Sequence, residues 1–213
     1  MGRWNPFSRS ERDQTPLESV RFGIIDTELT SLDQRSNRLL SVGAIAMKGT
    51  RILIGEQFYR VVNPGVPVPK ETVVIHRLRP EDVEQGHAVS ETMTDLAAFL
   101  GDAVLVSHCA EIDRAVLRKE FSGCGLKFEN EVLCTARVQQ WIVKRQSYKE
   151  DQFRDLETLD LESLAREYKL DFHEAHHALD DAFVTAQLWQ KQLHVLGGMG
   201  VKTLGKLLRL AKV

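Results

Sequence analysis

Residues 21–62 read RFGIIDTELTSLDQRSNRLLSVGAIAMKGTRILIGEQFYRVV. Three apolar, β-branched bursts stand out in them: RFGIID (21–26), RLLSVGAIAM (38–47) and RILIGEQFYRVV (51–62). A polar loop separates the first two and the turn signal Lys48-Gly49-Thr50 the last two, which predicts three antiparallel strands. Beyond them NPGVPVPKE (63–71) is too rich in proline for either regular element. SETMTDLAAFLG (90–101) has helical spacing with Ser90 as its expected cap. AVLVSH (103–108) then reads as a short buried strand, CAEIDRAVLRKEFSG (109–123) as a helix, EVLCTA (131–136) as another strand and ARVQQWIVKR (136–145) as a helix. Such alternation demands parallel pairing through helical crossovers. The expectation is an α/β fold, a mixed five-stranded sheet of three antiparallel strands then two parallel ones, flanked by helices. All-α and all-β folds are excluded.

The ends frame this core. Residues 1–19 contain Pro6 and Pro16 without helical or strand period and are expected to form a mobile arm. Residues 20–197 form one domain, closed by a helix from about Ala178 to Leu196 whose apolar stripe is Ala182, Ala186, Trp189, Leu193 and Leu196. Residues 144–160 read as a charged, solvated excursion. After Gly197, Gly198 and Gly200, residues 198–213 form a basic amphipathic helix, with Lys202, Lys206 and Arg209 on one face and Leu204, Leu207, Leu208 and Ala211 on the other. Either it packs its leucines on the domain, or the glycines form a hinge and it docks on nucleic acid or a protein partner.

Composition narrows the function. The 28 basic and 30 acidic side chains leave a formal charge of −2 over 213 residues, so no broad positive field holds a long nucleic acid. Any such role needs a local site. The longest uncharged apolar run, Leu39 to Met47, falls well short of the roughly 18 residues a bilayer span requires, so no membrane contact is expected. The start shows no secretory pattern, and Cys109, Cys124 and Cys134 are odd in number without a CxxC pair, which points to reduced thiols and a cytoplasmic protein.

Asp26 and Glu28 stand two apart where the first burst ends, so strand geometry sends both carboxylates to one face at the carboxyl end of the central strand, where α/β sheets place their sites. Asp113 follows the fourth strand in the first turns of a helix, while Glu111 falls on another side of it. HEAHHALDDAFVTAQL (173–188) gathers three histidines and two aspartates where the last long helix begins, with Asp181 beside the apolar stripe and Asp180 turned outward. Two readings compete here. His173-Glu174-Ala175-His176-His177 matches HExxH, a zinc-protease signature, although Phe183 stands where an extended version needs histidine. The other takes His176 and Asp181 together, from HHALDD.

Taken in order, DTELTS (26–31), HCAEID (108–113) and HHALDD (176–181) strongly resemble the three motifs of the DEDDh, DnaQ-like 3′ to 5′ exonucleases, which have a ribonuclease H-like fold. The similarity spans about Arg21 to Leu196. It implies that Asp26, Glu28, Asp113 and Asp181 bind metal, that these four and His176 are catalytic with His176 as general base, and that Thr27, Leu29, Thr30, His76 and His108 bind substrate. Departures from the family's usual text are Leu29, Ser31, Cys109, Ile112 and Arg77; none touches the acids or His176. Phosphodiester hydrolysis needs charge stabilised on both the attacking and the leaving oxygen, which two divalent ions supply. An all-carboxylate set suits two Mg²⁺ or Mn²⁺. The expected function is release of nucleoside 5′-monophosphates from single-stranded or frayed 3′ ends in proofreading, repair or turnover. DNA is the favoured partner, with a polymerase or other protein as a possible second partner through the basic C-terminal helix. The alternatives are a 3′ to 5′ exoribonuclease of the oligoribonuclease or ribonuclease T type and, more remotely, the zinc protease or an inactive partner-binding module.

Overall fold

The computed structural model describes residues 14–31, 33, 35–67, 77–150, 159–172 and 176–213. Strands β1 (Arg21–Leu29), β2 (Leu39–Lys48) and β3 (Arg51–Asn63) are followed by helix α1 (Pro80–Glu84), strand β4 (His87–Ala88) and helix α2 (Val89–Leu100). Then come β5 (Val104–Ser107), α3 (Glu111–Gly123), β6 (Val132–Cys134), α4 (Thr135–Glu150), α5 (Leu161–Glu167), α6 (Ala178–Gly198) and α7 (Leu204–Ala211). The sheet order is β4-β3-β2-β1-β5-β6. β1 pairs antiparallel with β2 and β2 with β3, whereas β5 joins β1, and β6 joins β5, in parallel. The five expected strands are all present. The sixth, β4, adds only two residues parallel to the end of β3 and is too short to show an alternation in the sequence.

Strand alternation sorts the apolar residues onto two faces. Phe22, Ile24, Ile45 and Met47 pack against α4, α6 and α7, with the Trp189 ring meeting Phe22 edge-on at 5.6 Å. Ile25, Val42, Ala44 and Phe58 pack on the other face against α2 and α3 through Met93, Leu96, Val116 and Phe121. Asp26 and Glu28 continue the first series, so they rise on the α6 face at the carboxyl end of β1.

Several boundaries differ from the sequence reading. Residues 1–13 of the expected arm lie outside the described residues, but 15–17 are tied down: Leu17 N–H bonds to Lys202 O at 3.1 Å, Leu204 N–H to Thr15 O at 2.9 Å, and Leu17 is buried. A single apolar side chain in polar text gave no period to show this. Helix α2 is capped by Ala88 and already contains Ser90. Gly197 and Gly198 form the last turn of α6, and Gly200, at φ 83°, terminates it. The basic helix therefore begins only at Leu204. It buries Leu204, Leu207 and Ala211 against α4 and the core while Lys202 and Lys206 face outward, the packed form of the two expected. Of the charged segment, residues 144–150 continue α4 and 151–158 lie outside the described residues. Among the described residues no helix is long and apolar enough to cross a membrane.

Candidate active site

Three elements meet at the carboxyl end of β1. The first is β1 itself, with Asp26 and Glu28 pointing to the α6 face. The second is α6, whose start lies directly on β2 because Gly43, the register partner of Asp26, has no side chain. A Cβ there would stand 2.3 Å from the Ala178 and Leu179 backbone. That approach carries His176 and Asp181 to β1, so that ligand atoms of Glu28, His176 and Asp181 lie within 4.8 Å of one another. The third is α3, from the opposite layer, whose first turn brings Asp113 over the edge of the sheet. Thr27 Oγ1 donates to Asp113 Oδ1 at 2.6 Å, and Ser107 Oγ donates to Oδ2. The His176 N–H donates to Asp181 Oδ2 at 2.8 Å, while Asp181 Oδ1 is buried without a partner among the described residues.

Crowding and burial together set the electrostatics. Burial, reinforced by Asp113, Asp181 and Glu28, holds the Asp26 carboxyl well above its ordinary range. Burial and then Asp181 and Asp113 push Glu28 up to about 7. Burial raises Asp113 to about 6 against the opposing hydroxyls of Ser107 and Thr27. Asp181 is raised by burial against the His176 N–H. Among the described residues no lysine or arginine forms an ion pair with any of the four. Desolvated carboxylates repel one another unless protonated or bridged by a cation. An orphaned buried oxygen and an all-oxygen acidic set are the complement of a hard divalent ion, so the residues present fit one.

Not every residue read from the sequence joins this cluster. His76 lies outside the described residues. Thr27 is engaged with Asp113, and Thr30 is buried with its Oγ1 accepting the Arg38 N–H at 2.9 Å. His108 is half-buried with Nδ1 2.8 Å from Thr135 Oγ1, and burial lowers its pKa. Leu29 ends β1 and is partly packed on the second core. Glu111 points away to Arg137 at 2.6 Å, and Asp180, 65% exposed, pairs with His177 at 3.1 Å. The HExxH reading needs one helix to run from His173 through His177, but His176 has φ 74° and His177 is the extended N-cap of α6, so no helix runs through the end of that match; His173 and Glu174 are outside the described residues. The sequence reading missed Gly43, whose signal was a glycine inside an apolar strand, and Tyr59, whose ring lies 4.6 Å from that of His177 and which had no signal at all.

Fold and site together define a metal-dependent nuclease domain of ribonuclease H-like architecture. The chain belongs to the RNase T exonuclease family, the DnaQ-like 3′ to 5′ exonucleases, whose pattern matches residues 24–189. It is 26% identical over 193 residues to the DNA polymerase III subunit epsilon of Aquifex aeolicus, covering 90% of this chain and 89% of that protein. It is 29% identical over 198 residues to a DNA polymerase III subunit epsilon-like protein of Rhodobacter capsulatus, covering 92% of this chain but 27% of the relative. It spans only 14% of the PolC-type DNA polymerase III of Thermotoga maritima, at 24% identity over 96% of this chain. Among solved structures, E. coli Exonuclease I in complex with a dT13 oligonucleotide superposes with TM-score 0.72 at 13% identity, over 85% of this chain and 43% of that one. Exonuclease X with 5′ overhanging duplex DNA gives 0.61 at 19% identity, over 87% and 97%. These two share the fold.

Proposed function

We propose that the protein removes nucleoside 5′-monophosphates one at a time from the 3′ end of single-stranded or frayed DNA, using two Mg²⁺ or Mn²⁺ ions. The observation that carries this is the convergence of Glu28, Asp181 and His176 within 4.8 Å, beside Asp26 and Asp113. Asp26, Glu28, Asp113 and Asp181 would hold the ions, which when bound supply charge stabilisation to the attacking and leaving oxygens. Ser107 and Thr27 fix the Asp113 carboxylate by donating to its two oxygens. His176, exposed at the rim, takes the proton of the attacking water and passes it to solvent. Leu29, at the end of β1, meets the terminal nucleotide with Thr27, Thr30 and His108, directly or through the residues they hold, and the family resemblance gives His76 the same role. The epsilon and PolC names of the relatives favour DNA over RNA and a role beside a polymerase, with exposed Lys206 of α7 and Lys202 just before it as the face for that partner. The unpaired thiols favour the cytoplasm.

The test is incubation with matched 5′-labelled DNA and RNA single strands, with Mg²⁺ and with EDTA. The expected result is a ladder shortening from the 3′ end, faster on DNA and absent in EDTA. Faster RNA cleavage would move the assignment to the exoribonuclease alternative. Early loss of the 5′ label as a mononucleotide would reverse the polarity.

A further inference from the structure

Tyr59 stands in one cross-strand row with Asp26 and Gly43: Asp26 pairs with Gly43, and Gly43 with Tyr59. The middle of that row has no side chain, and the backbone of Ala178 and Leu179 fills the gap. The start of α6 is therefore walled by Asp26 on one side and Tyr59 on the other. Against Tyr59 lies the imidazole of His177, with ring centroids 4.6 Å apart and planes inclined by 32°. Tyr59 lies on the opposite face from its neighbour Phe58, which packs into the second core.

His177 adjoins His176, whose φ of 74° is left-handed. A non-glycine residue holds that conformation only where its surroundings enforce it. Two anchors do so here. On one side Asp181 Oδ2 accepts the His176 N–H at 2.8 Å, and the Asp181 N–H bonds back to His177 O at 2.9 Å. On the other side the His177 ring rests on Tyr59, with Asp180 3.1 Å from its Nδ1. The His176 side chain is itself exposed, so where its ring stands depends on how firmly this turn is held.

We propose that Tyr59 is a positioning residue for the hydrolytic step: its ring, stacked on His177, fixes the left-handed turn that presents His176 to Glu28 and Asp181. This rests on the reading of His176 as the base, and it gives work to the Tyr59 ring, which no motif includes, and to the His177 ring beside the base. The contact is made by the ring face, so the phenol oxygen is dispensable to it.

The experiment compares kcat, KM and Tm for Tyr59→Ala, Tyr59→Phe, His177→Ala, His176→Ala and the double variant Tyr59→Ala/His176→Ala on one DNA oligonucleotide with Mg²⁺. Tyr59→Ala is expected to lower kcat roughly 10- to 100-fold, the loss that misplacing a reacting group by about 1 Å produces, with KM changed less than about threefold. Tyr59→Phe restores most of that rate. His177→Ala removes the other ring and reproduces the loss, which keeps the test valid if Tyr59→Ala folds poorly. In the His176→Ala background Tyr59→Ala has no further effect on kcat. The proposal is overturned if Tyr59→Ala lowers kcat equally in that background, if it acts on KM alone, or if Phe is as poor as Ala. A His176→Ala enzyme with full kcat would instead remove the base assignment itself, and the positioning role with it.

Discussion

Substituting Gly43 by alanine asks whether the close seating of α6 on β2 builds the site. The added Cβ would stand 2.3 Å from Ala178 C and Leu179 N and 2.4 Å from Ala178 O. Ordinary contact begins near 3.4 Å, so the start of α6 must retreat by about 1 Å. Both obstacles are backbone, which has no rotamer to turn away. Overpacking of this kind costs about 1–3 kcal/mol, a fall of roughly 3–10 °C in Tm for a domain of this size. The larger effect is on rate. His176 and Asp181 both ride on the displaced segment, while Asp26 and Glu28 stay on β1, and a shift of about 1 Å between reacting groups costs on the order of 100-fold in kcat. The assay is a single-turnover measurement of mononucleotide release with Mg²⁺, well below the variant's Tm. Gly197→Ala serves as control, because among the described residues nothing lies within 4 Å of its added Cβ and it sits in the last turn of a helix. A Gly43→Ala enzyme with the rate and Tm of the native protein would refute the argument that this glycine sets the distance between the two halves of the site.

Three other perturbations have definite outcomes. Glu28 and Asp113 titrate at about 7 and about 6 in the folded chain, against ordinary values of 4.5 and 3.8. The native state therefore holds more protons than the unfolded state across that window, and the Tm of the metal-free protein falls as pH rises from about 4 to about 7. Added Mg²⁺ should raise Tm more at about pH 7.5 than at about pH 5, read by scanning calorimetry; an equal rise at both would contradict the cluster electrostatics. Cys109 holds φ 52° in exposed backbone. Cys109→Asn, a residue that tolerates this region, is expected to add about 0.5–1 kcal/mol by denaturant titration, and a loss of stability would argue against strain there. Leu207 is buried between α7 and the core, so Leu207→Ala should cost about 2–5 kcal/mol. Unchanged stability would mean that α7 does not pack as described.

The five strands and their directions were legible because three apolar bursts from Arg21 to Val62 are divided by a polar loop and a turn, and because AVLVSH and EVLCTA are short apolar runs followed by helices. The three acidic motifs were legible because each falls where a strand ends or a helix begins. What escaped notice was non-local. Leu17 is one apolar residue in polar text, and only the backbone of Lys202 reveals its place. Tyr59 and Gly43 matter through a register row that joins three strands, which spacing along one strand does not encode. His108 and Thr30 sit in the motifs, but their hydrogen-bond partners, Thr135 and Arg38, arrive from outside them, which motif spacing does not encode. Histidine spacing alone permitted HExxH; the left-handed turn at His176 excludes it.

The measurement that reaches the central claim most directly is the rate of 5′-mononucleotide release from a DNA 3′ end by Asp181→Asn and Asp180→Asn side by side. Asp181 is buried beside Glu28 and His176, whereas Asp180 is 65% exposed with one oxygen 3.1 Å from His177 Nδ1. Asp181→Asn is expected to lower the rate by about a thousandfold or more with the fold intact, and Asp180→Asn by less than about fivefold, the worth of an exposed pair. An active Asp181→Asn enzyme, or a dead Asp180→Asn one, would contradict the assignment of the acidic cluster as the site of hydrolysis.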